Sequence, residues 1–343
     1  HLSDAELAWR LANRLQDRSF FLDQRAAYQG IERLRKGKSP AWLADLDALV
    51  IDEVQDLTLL QIALLGELVR ERMRRRPTAG FVFSVAGDES QIVQPSGFDW
   101  GITKDLLGEQ VGIWPDEFEF QHQRRAPRNL AQLIDHTWNL YRHLPRSQRP
   151  SSRRQAFVYD DDLLTPTDQT IAEHGQIFLC PPQPVLAESG SGVDATWIAL
   201  LDELASRPGR VLIDLTEVLR PSLSGAIEAG GDEIVFLPRE IKGLERATVV
   251  VYGLNAVYER ALRLCHETDG GNIPKFEARR LFDEVRVALS RSTGKLILLE
   301  PTTAPVLAEL SIPHVAGTLA VAWDDLVELL QLDEMSEIEA IEG

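Results

Sequence analysis

Short apolar runs alternate with amphipathic stretches along most of the chain. Helical spacing of apolar residues is clearest over 3–38, from Leu57 to about Arg75, and from Asn129 to Arg142. The apolar runs, the first two of which we expect to be buried strands, lie at 48–51, 81–86, 177–179, 211–213, 234–236, 249–251 and 296–299. Apolar strands separated by helices predict an α/β fold with parallel sheets flanked by helices.

Composition indicates a folded globular protein with an uneven charge. The 343 residues are 44% hydrophobic, too apolar for a disordered chain, and no apolar run reaches the length of about 18 residues that spans a membrane. The net charge of −17 argues at first against a nucleic-acid partner. However, residues 1–150 hold 20 basic and 21 acidic side chains, and residues 151–343 hold 16 and 32. Any anionic partner should therefore meet the first half or a local basic groove, and the acidic half could bind a protein partner.

Cysteine and histidine usage excludes several classes of protein. Cys180 and Cys265 are the only cysteines, with no Cys-x-x-Cys pair, and the seven histidines show no metal-ligand spacing. This excludes a disulfide scaffold and a zinc ribbon, and it is typical of a cytoplasmic protein. No signal peptide is visible. Because the chain begins at His1 and not at Met, we expect it to be a piece of a longer protein.

The strongest chemical signal is a pair of acids at the end of the first apolar run, in Val50-Ile51-Asp52-Glu53-Val54-Gln55-Asp56. Ligands of α/β sheets bind at the carboxyl ends of strands. In nucleoside-triphosphate hydrolases a carboxylate at this place holds Mg²⁺, and an adjacent Glu can deprotonate the attacking water. The alternative is a strand that ends in a polar turn, and the full Asp-Glu-x-Gln-Asp string weighs against it.

A glutamine follows the second apolar run, in Gly87-Asp88-Glu89-Ser90-Gln91. Gln91 would lie just beyond a strand end, beside the first site, where it could contact a terminal phosphate. The alternative is a loop glutamine in water.

These two strings, in this order, resemble the Walker B motif and the following motif of UvrD/Rep/PcrA-type superfamily 1 helicases. Three later strings extend the resemblance in the same order: Phe120-Gln121-His122-Gln123-Arg124-Arg125 is similar to Leu-x-x-Asn-Tyr-Arg, Lys242-Gly243-Leu244-Glu245 matches Lys-Gly-Leu-Glu, and Val287-Ala288-Leu289-Ser290-Arg291-Ser292 resembles Val-Ala-x-Thr-Arg-Ala. The resemblance covers about residues 40–300. It implies RecA-like P-loop NTPase motor folds, with parallel sheets flanked by helices and the first domain incomplete.

The resemblance implies ATP and Mg²⁺ as cofactors and gives roles to the first-half residues. Asp52 would hold Mg²⁺, Glu53 would act on the hydrolytic water, and Gln91 would contact the γ-phosphate.

In the later motifs, Arg125 and Arg291 would neutralise charge that develops on the phosphates, a role suited to a permanently charged guanidinium. Gly243 and Glu245 would belong to the nucleotide site, where Glu245 accepts a hydrogen bond from the ribose. Without the motif, we would assign Arg291 to a surface ion pair.

Aromatic residues after the glutamine motif are the candidate nucleic-acid contacts. By the resemblance, Phe98 and Trp100 would stack on bases of single-stranded DNA, with RNA left open. The alternative is that one or both pack in the domain core. The arginines of 70–76 could contact phosphates, or they could simply complement a helix dipole.

The phosphate-binding loop of the family is absent from this sequence. A Gly-x-x-x-x-Gly-Lys-Ser/Thr string should precede Asp52, but in Gly37-Lys38-Ser39 the first glycine of that string is replaced by Glu32. We expect that an upstream segment carries the loop and the first strands, or that a separate chain supplies them. The chain as given should not hydrolyse ATP efficiently.

Two further departures indicate a divergent branch. About 117 residues separate Arg125 from Lys242, too few for the large helical insertion of UvrD itself, and Arg239 stands where the family has His. Both favour ATP-driven movement or remodelling over strand separation. The expected domains are 1–115 (part of the first RecA-like domain), 116–315 (the second) and 316–343 (an acidic helix and tail).

The leading hypothesis is therefore a fragment of an ATP-dependent UvrD-like DNA helicase or translocase that moves on single-stranded DNA. The alternative is a binding or regulatory module that kept the motor fold without hydrolysis.

Overall fold

A computed structural model describes residues 18–89, 91–92, 96, 98–112, 114, 116–118, 126–150, 175–183, 195–219, 223, 234–312, 315 and 318–331. The helical pattern predicted before Arg18 and the acidic tail after Gln331 lie outside these residues. The fold is mixed α/β with parallel sheets flanked by helices, as the sequence pattern predicts.

The chain divides into two compact units. Unit 1 contains the described residues of 1–120, 148–153 and 270–276, and unit 2 contains those of 121–147, 154–269 and 277–343.

Unit 1 is built on two parallel strands, β1 (Ala48–Ile51) and β2 (Val82–Val85), paired from Ala48 with Val82 to Ile51 with Val85. Its helices are α1 (Arg18–Arg35), α2 (Leu59–Arg75) and α3 (Trp100–Val111), with 3₁₀ turns at Ala41–Asp45 and Val54–Asp56. Helix α2 packs against both α1 and α3. It begins with a capping box, in which Thr58 and Gln61 each accept from the other's backbone N–H.

The strands of unit 1 are not buried, which corrects the expectation from their apolar sequences. Their residues alternate along each strand: Val50 is 67% exposed and Val82 is 59% exposed. The opposite face is half-buried, where Ile51 and Phe83 pack on a small core. The core members are Val54, Ile62, Ile92, Phe98 and Leu107. An apolar run predicts cover on both faces, but the described residues cover only one.

Unit 2 contains a six-stranded, wholly parallel sheet in the order β5-β4-β6-β7-β3-β8. The strands are β3 (Gln176–Cys180), β4 (Arg210–Asp214), β5 (Val235–Phe236), β6 (Arg246–Tyr252), β7 (Ser292–Leu299) and β8 (Thr318–Ala320).

Helices cover both faces of this sheet. They are α4 (Arg128–His136), α5 (Ala195–Ala205), α6 (Pro238–Ile241), α7 (Leu254–His266), α8 (Ile273–Leu289, whose first turn belongs to unit 1), α9 (Pro305–Glu309) and α10 (Trp323–Gln331). The segment expected to be one helix over 129–142 divides into α4 and a 3₁₀ helix, Thr137–His143. Val249 and Val251 enter one apolar cluster and Val250 enters another, so the sheet is buried on both faces.

Among the helices that the structure describes, none has the length and apolar character needed to cross a membrane.

Candidate functional site

The two acids of the first motif lie directly after β1, at its carboxyl end. Asp52 is exposed, and its Oδ1 accepts a hydrogen bond from the Glu53 backbone N–H at 2.8 Å. Glu53 has φ 52° and ψ 38°, the left-handed conformation that a non-glycine residue seldom adopts. The local backbone therefore turns sharply between the two carboxylates.

A buried glutamine connects this turn to the loop after β2. Gln55 is fully buried, and its Nε2 donates to Glu53 Oε2. Its Oε1 accepts from the Asp88 backbone N–H at 3.1 Å. Asp88 Oδ2 in turn accepts from Gln91 Nε2 at 2.8 Å. The structure thus brings Glu53 and Gln91 into one hydrogen-bonded chain that runs through Gln55 and Asp88.

The backbones of these two loops also approach closely. Val54 N–H donates to Ala86 O at 2.9 Å, which extends the pairing of β1 with β2 beyond the strands. Gly87 allows this approach, because a Cβ there would overlap Gln55 Oε1 and meet Val54 Cγ1 at 3.0 Å. No role for Gln55 was predicted from the sequence, although its place inside an acidic string marked it as a candidate hydrogen-bond partner of the carboxylates.

The two candidate stacking aromatics lie beyond the same loop. Phe98 is only 2% exposed and belongs to the core of unit 1. It therefore packs in the domain core and is not exposed for stacking on bases. Trp100 is half-buried, and its ring contacts Phe98 edge-to-face with centroids 5.0 Å apart. Phe98 is tied to the site through Ser96, whose Oγ accepts from the Phe98 N–H and donates to Gln55 O at 2.6 Å.

In unit 2, the later motif residues lie at the amino edge of the sheet, where β6 and β7 begin. Gly243 is in the turn between α6 and β6 with φ 80°, a conformation that favours glycine, and both Gly243 and Glu245 are exposed. The Arg246 N–H donates to Arg291 O at 2.9 Å, which places the glycine loop beside the arginine motif. Ligands of α/β sheets usually bind at the carboxyl ends of strands, whereas these motif residues lie at the opposite edge of the sheet.

The Arg291 side chain is buried, with 5% exposure, so it does not lie at the surface where its alternative placed it. Its Nε donates to Val287 O at 3.1 Å and its Nη2 donates to Ser290 Oγ at 2.8 Å. Arg125, the other candidate arginine, lies outside the described residues.

The arginines at the end of α2 are engaged within unit 1. Arg72 is fully buried, donates from Nε to Leu46 O at 2.5 Å and stacks on the Phe81 ring. Glu71 accepts hydrogen bonds from Arg74, Ser39 and Arg75, which lower its pKa to about 2.

A second buried acid of α2 continues the same pattern of internal pairing. Glu67 pairs with Arg70 and Arg35. Arg72, Arg74 and Arg75 lie in the last turn of α2, as the helix-dipole alternative expects, and the run also makes ion pairs within unit 1.

The Gly37-Lys38-Ser39 string is part of the turn that ends α1, where Gly37 has φ 73°. Ser39 Oγ donates to Glu71 Oε1 at 2.8 Å. No strand precedes this turn in the described residues, so it does not have the strand-loop-helix form of a phosphate loop.

A comparison of the chain with protein-family models and with the sequences of curated proteins finds no match.

Proposed function

We propose that this chain is part of an ATP-dependent, UvrD-like DNA helicase or translocase with RecA-like motor domains. The observation that carries the proposal is the hydrogen-bonded chain from Glu53 to Gln91 at the ends of two paired parallel strands. A hydrolytic site needs a base for water and a group that contacts the terminal phosphate, held in fixed relation. Glu53 and Gln91, which are far apart in sequence, would fill these two roles.

The carboxylate groups suit a magnesium ion that arrives with a nucleotide. Among the described residues, no group of three or more His, Cys, Asp or Glu could hold a metal ion. Mg²⁺ is commonly bound by one or two carboxylates together with phosphate oxygens. The exposed Asp52 would hold it, and the bound ion would neutralise phosphate charge.

The remaining residues would act on the nucleotide and the attacking water. Glu53 would accept the proton of that water, and Gln91 would orient the γ-phosphate. Gly243, Glu245 and Arg291, at the amino edge of the unit 2 sheet, would act in nucleotide binding, as the motifs imply. The proposed motor would move along single-stranded DNA, and the half-buried Trp100 would stack on its bases.

The exposed apolar face of the unit 1 sheet favours a further structural element that packs against it. A two-stranded sheet is marginal by itself, and Val50 and Val82 leave its outer face apolar and open to solvent. We propose that further strands, from an upstream segment or a complementary chain, complete this sheet and supply the phosphate loop.

The experiment is to read the coding sequence upstream of His1 and to measure ATP hydrolysis by the protein that includes it, with and without single-stranded DNA. We expect DNA to stimulate hydrolysis, and Glu53→Gln to abolish the stimulated rate. Glu109→Gln, the same change at an exposed position of α3, should leave the rate unchanged. ATP-independent DNA binding without hydrolysis would contradict the motor and favour the regulatory module.

A further inference from the structure

Gln55 contacts both strand-end loops of unit 1 through one functional group, its side-chain amide. Its amide lies between Glu53, two residues away, and Asp88, thirty-three residues away. The amide is fully buried. Both of its polar atoms are therefore used inside the protein, and neither is available to a ligand.

The chemistry of this position requires an amide. The donor Nε2 faces a carboxylate oxygen of Glu53, and the acceptor Oε1 faces the N–H of Asp88. A carboxylate at this position would keep the acceptor but would place a negative charge against Glu53, and an apolar side chain would keep neither bond. Each loss would leave a buried polar group without its partner, which is costly.

Gln55 is also fixed at its backbone. Its carbonyl accepts from Ser96 Oγ at 2.6 Å, and it lies within the 3₁₀ turn Val54–Asp56. The absence of a Cβ at Gly87 lets the second loop reach the amide. The side chain therefore has a defined place from which to orient both loops.

We propose that Gln55 is a positioning residue that couples the Glu53 carboxylate to the loop carrying Asp88 and Gln91. This inference rests on the proposed function for its catalytic meaning, since Glu53 and Gln91 are there the base and the phosphate contact. The coupling itself is a property of the fold. We therefore expect a substitution at Gln55 to change the environment of the Asp88 N–H and that of the Glu53 carboxylate independently of each other.

Amide hydrogen exchange, followed by NMR, tests the coupling without nucleotide. Gln55→Leu removes both hydrogen bonds, and we expect exchange of the Asp88 N–H to accelerate about tenfold. Gln55→Glu retains an acceptor for Asp88, so Asp88 exchange should stay within about twofold of wild type, while the Glu53 carboxylate ¹³C shift changes. Gln29→Leu and Gln29→Glu, at an exposed position of α1, are the matched controls and should change neither signal.

Three results would overturn the coupling. The first is unchanged Asp88 exchange in Gln55→Leu, and the second is an unchanged Glu53 signal in Gln55→Glu. The third is amide exchange that accelerates throughout unit 1 in Gln55→Glu, because Gln55 would then act only on general stability. If Gln55→Leu does not fold, the Gln55→Glu pattern decides the question by itself.

Steady-state hydrolysis by the ATP-hydrolysing protein separates this inference from the proposed function. Gln55→Glu should lower kcat about tenfold with KM for ATP within about twofold, since it misorients the base and leaves the nucleotide contacts in place. Absence of hydrolysis in the wild type, with the expected exchange pattern, would remove the function and keep the coupling. Loss of hydrolysis in Glu53→Gln together with a normal rate in Gln55→Glu would keep the proposed function and exclude the positioning role of Gln55.

Discussion

The two units use similar apolar strands in different environments. In unit 2 the central residues of β6, Val249, Val250 and Val251, are completely buried and divide between apolar clusters on the two faces of the sheet. In unit 1 the equivalent run leaves Val50 largely exposed.

Unit 1 also contains polar cross-links. Buried or half-buried charged and amide groups, among them Arg72, Glu71 and Gln55, join its helices, loops and strands. An apolar run thus determines that a strand forms, whereas the surrounding elements determine how far that strand is buried.

The largest effect should come from one substitution made in both sheets. Val250→Ala removes two methyl groups from a closed core and should cost about 2–3 kcal/mol in free energy of unfolding. Val50→Ala should change stability by less than about 0.5 kcal/mol, because the side chain is mostly exposed. Hydrogen exchange at the strand amides in each unit measures both. Equal costs would show that the outer face of β1 is covered in solution.

The second effect concerns a buried acid of unit 2. Burial is the main cause that raises the pKa of Glu284 to about 7, and Glu217 adds to it, while Arg280, Arg260 and Arg239 oppose it. The folded state then keeps a proton that the unfolded state releases near pH 4.5, so stability falls as the pH rises through this window.

Glu284→Gln removes this titration. Relative to wild type, we expect the variant to gain about 2 kcal/mol in free energy of unfolding between about pH 4.5 and about pH 6.5. Urea denaturation at several pH values measures the change. Glu328→Gln, at an exposed position of α10, should follow the wild-type curve, and a pH-independent difference for Glu284→Gln would be inconsistent with a titrating Glu284.

The smallest effect has the opposite sign and belongs to unit 1. The pKa of Glu71 is lowered to about 2 by its hydrogen bonds, first of all from Arg74. Its stabilising contribution is complete above the ordinary value of 4.5 and is lost as the pH falls toward 2.

Glu71→Gln should therefore cost about 1 kcal/mol at neutral pH, because Arg74 is mostly exposed and screened. That cost should shrink at about pH 3. Thermal unfolding with Glu109→Gln as the control tests this, and an equal cost at both pH values would exclude an ionised Glu71 as the cause.

The sequence predicted the class of fold, most of the strands and the α2 helix, because these follow from local periodicity. It also predicted that Asp52 and Gln91 follow neighbouring parallel strands. The sequence left open whether Phe98 is buried, and the internal partners of Glu71 and Arg72 and the bridging by Gln55 could not be predicted. Each depends on residues distant in sequence, and a pattern of single positions does not specify such pairs.

The most direct test of the central claim is turnover by Glu53→Gln at saturating ATP, in the protein that includes its upstream residues. We expect a loss of about 10²–10⁴-fold in kcat, with nucleotide binding retained, because only the base for water is removed. A turnover rate within about twofold of wild type would contradict the assignment of Glu53 and the hydrolytic site built on it.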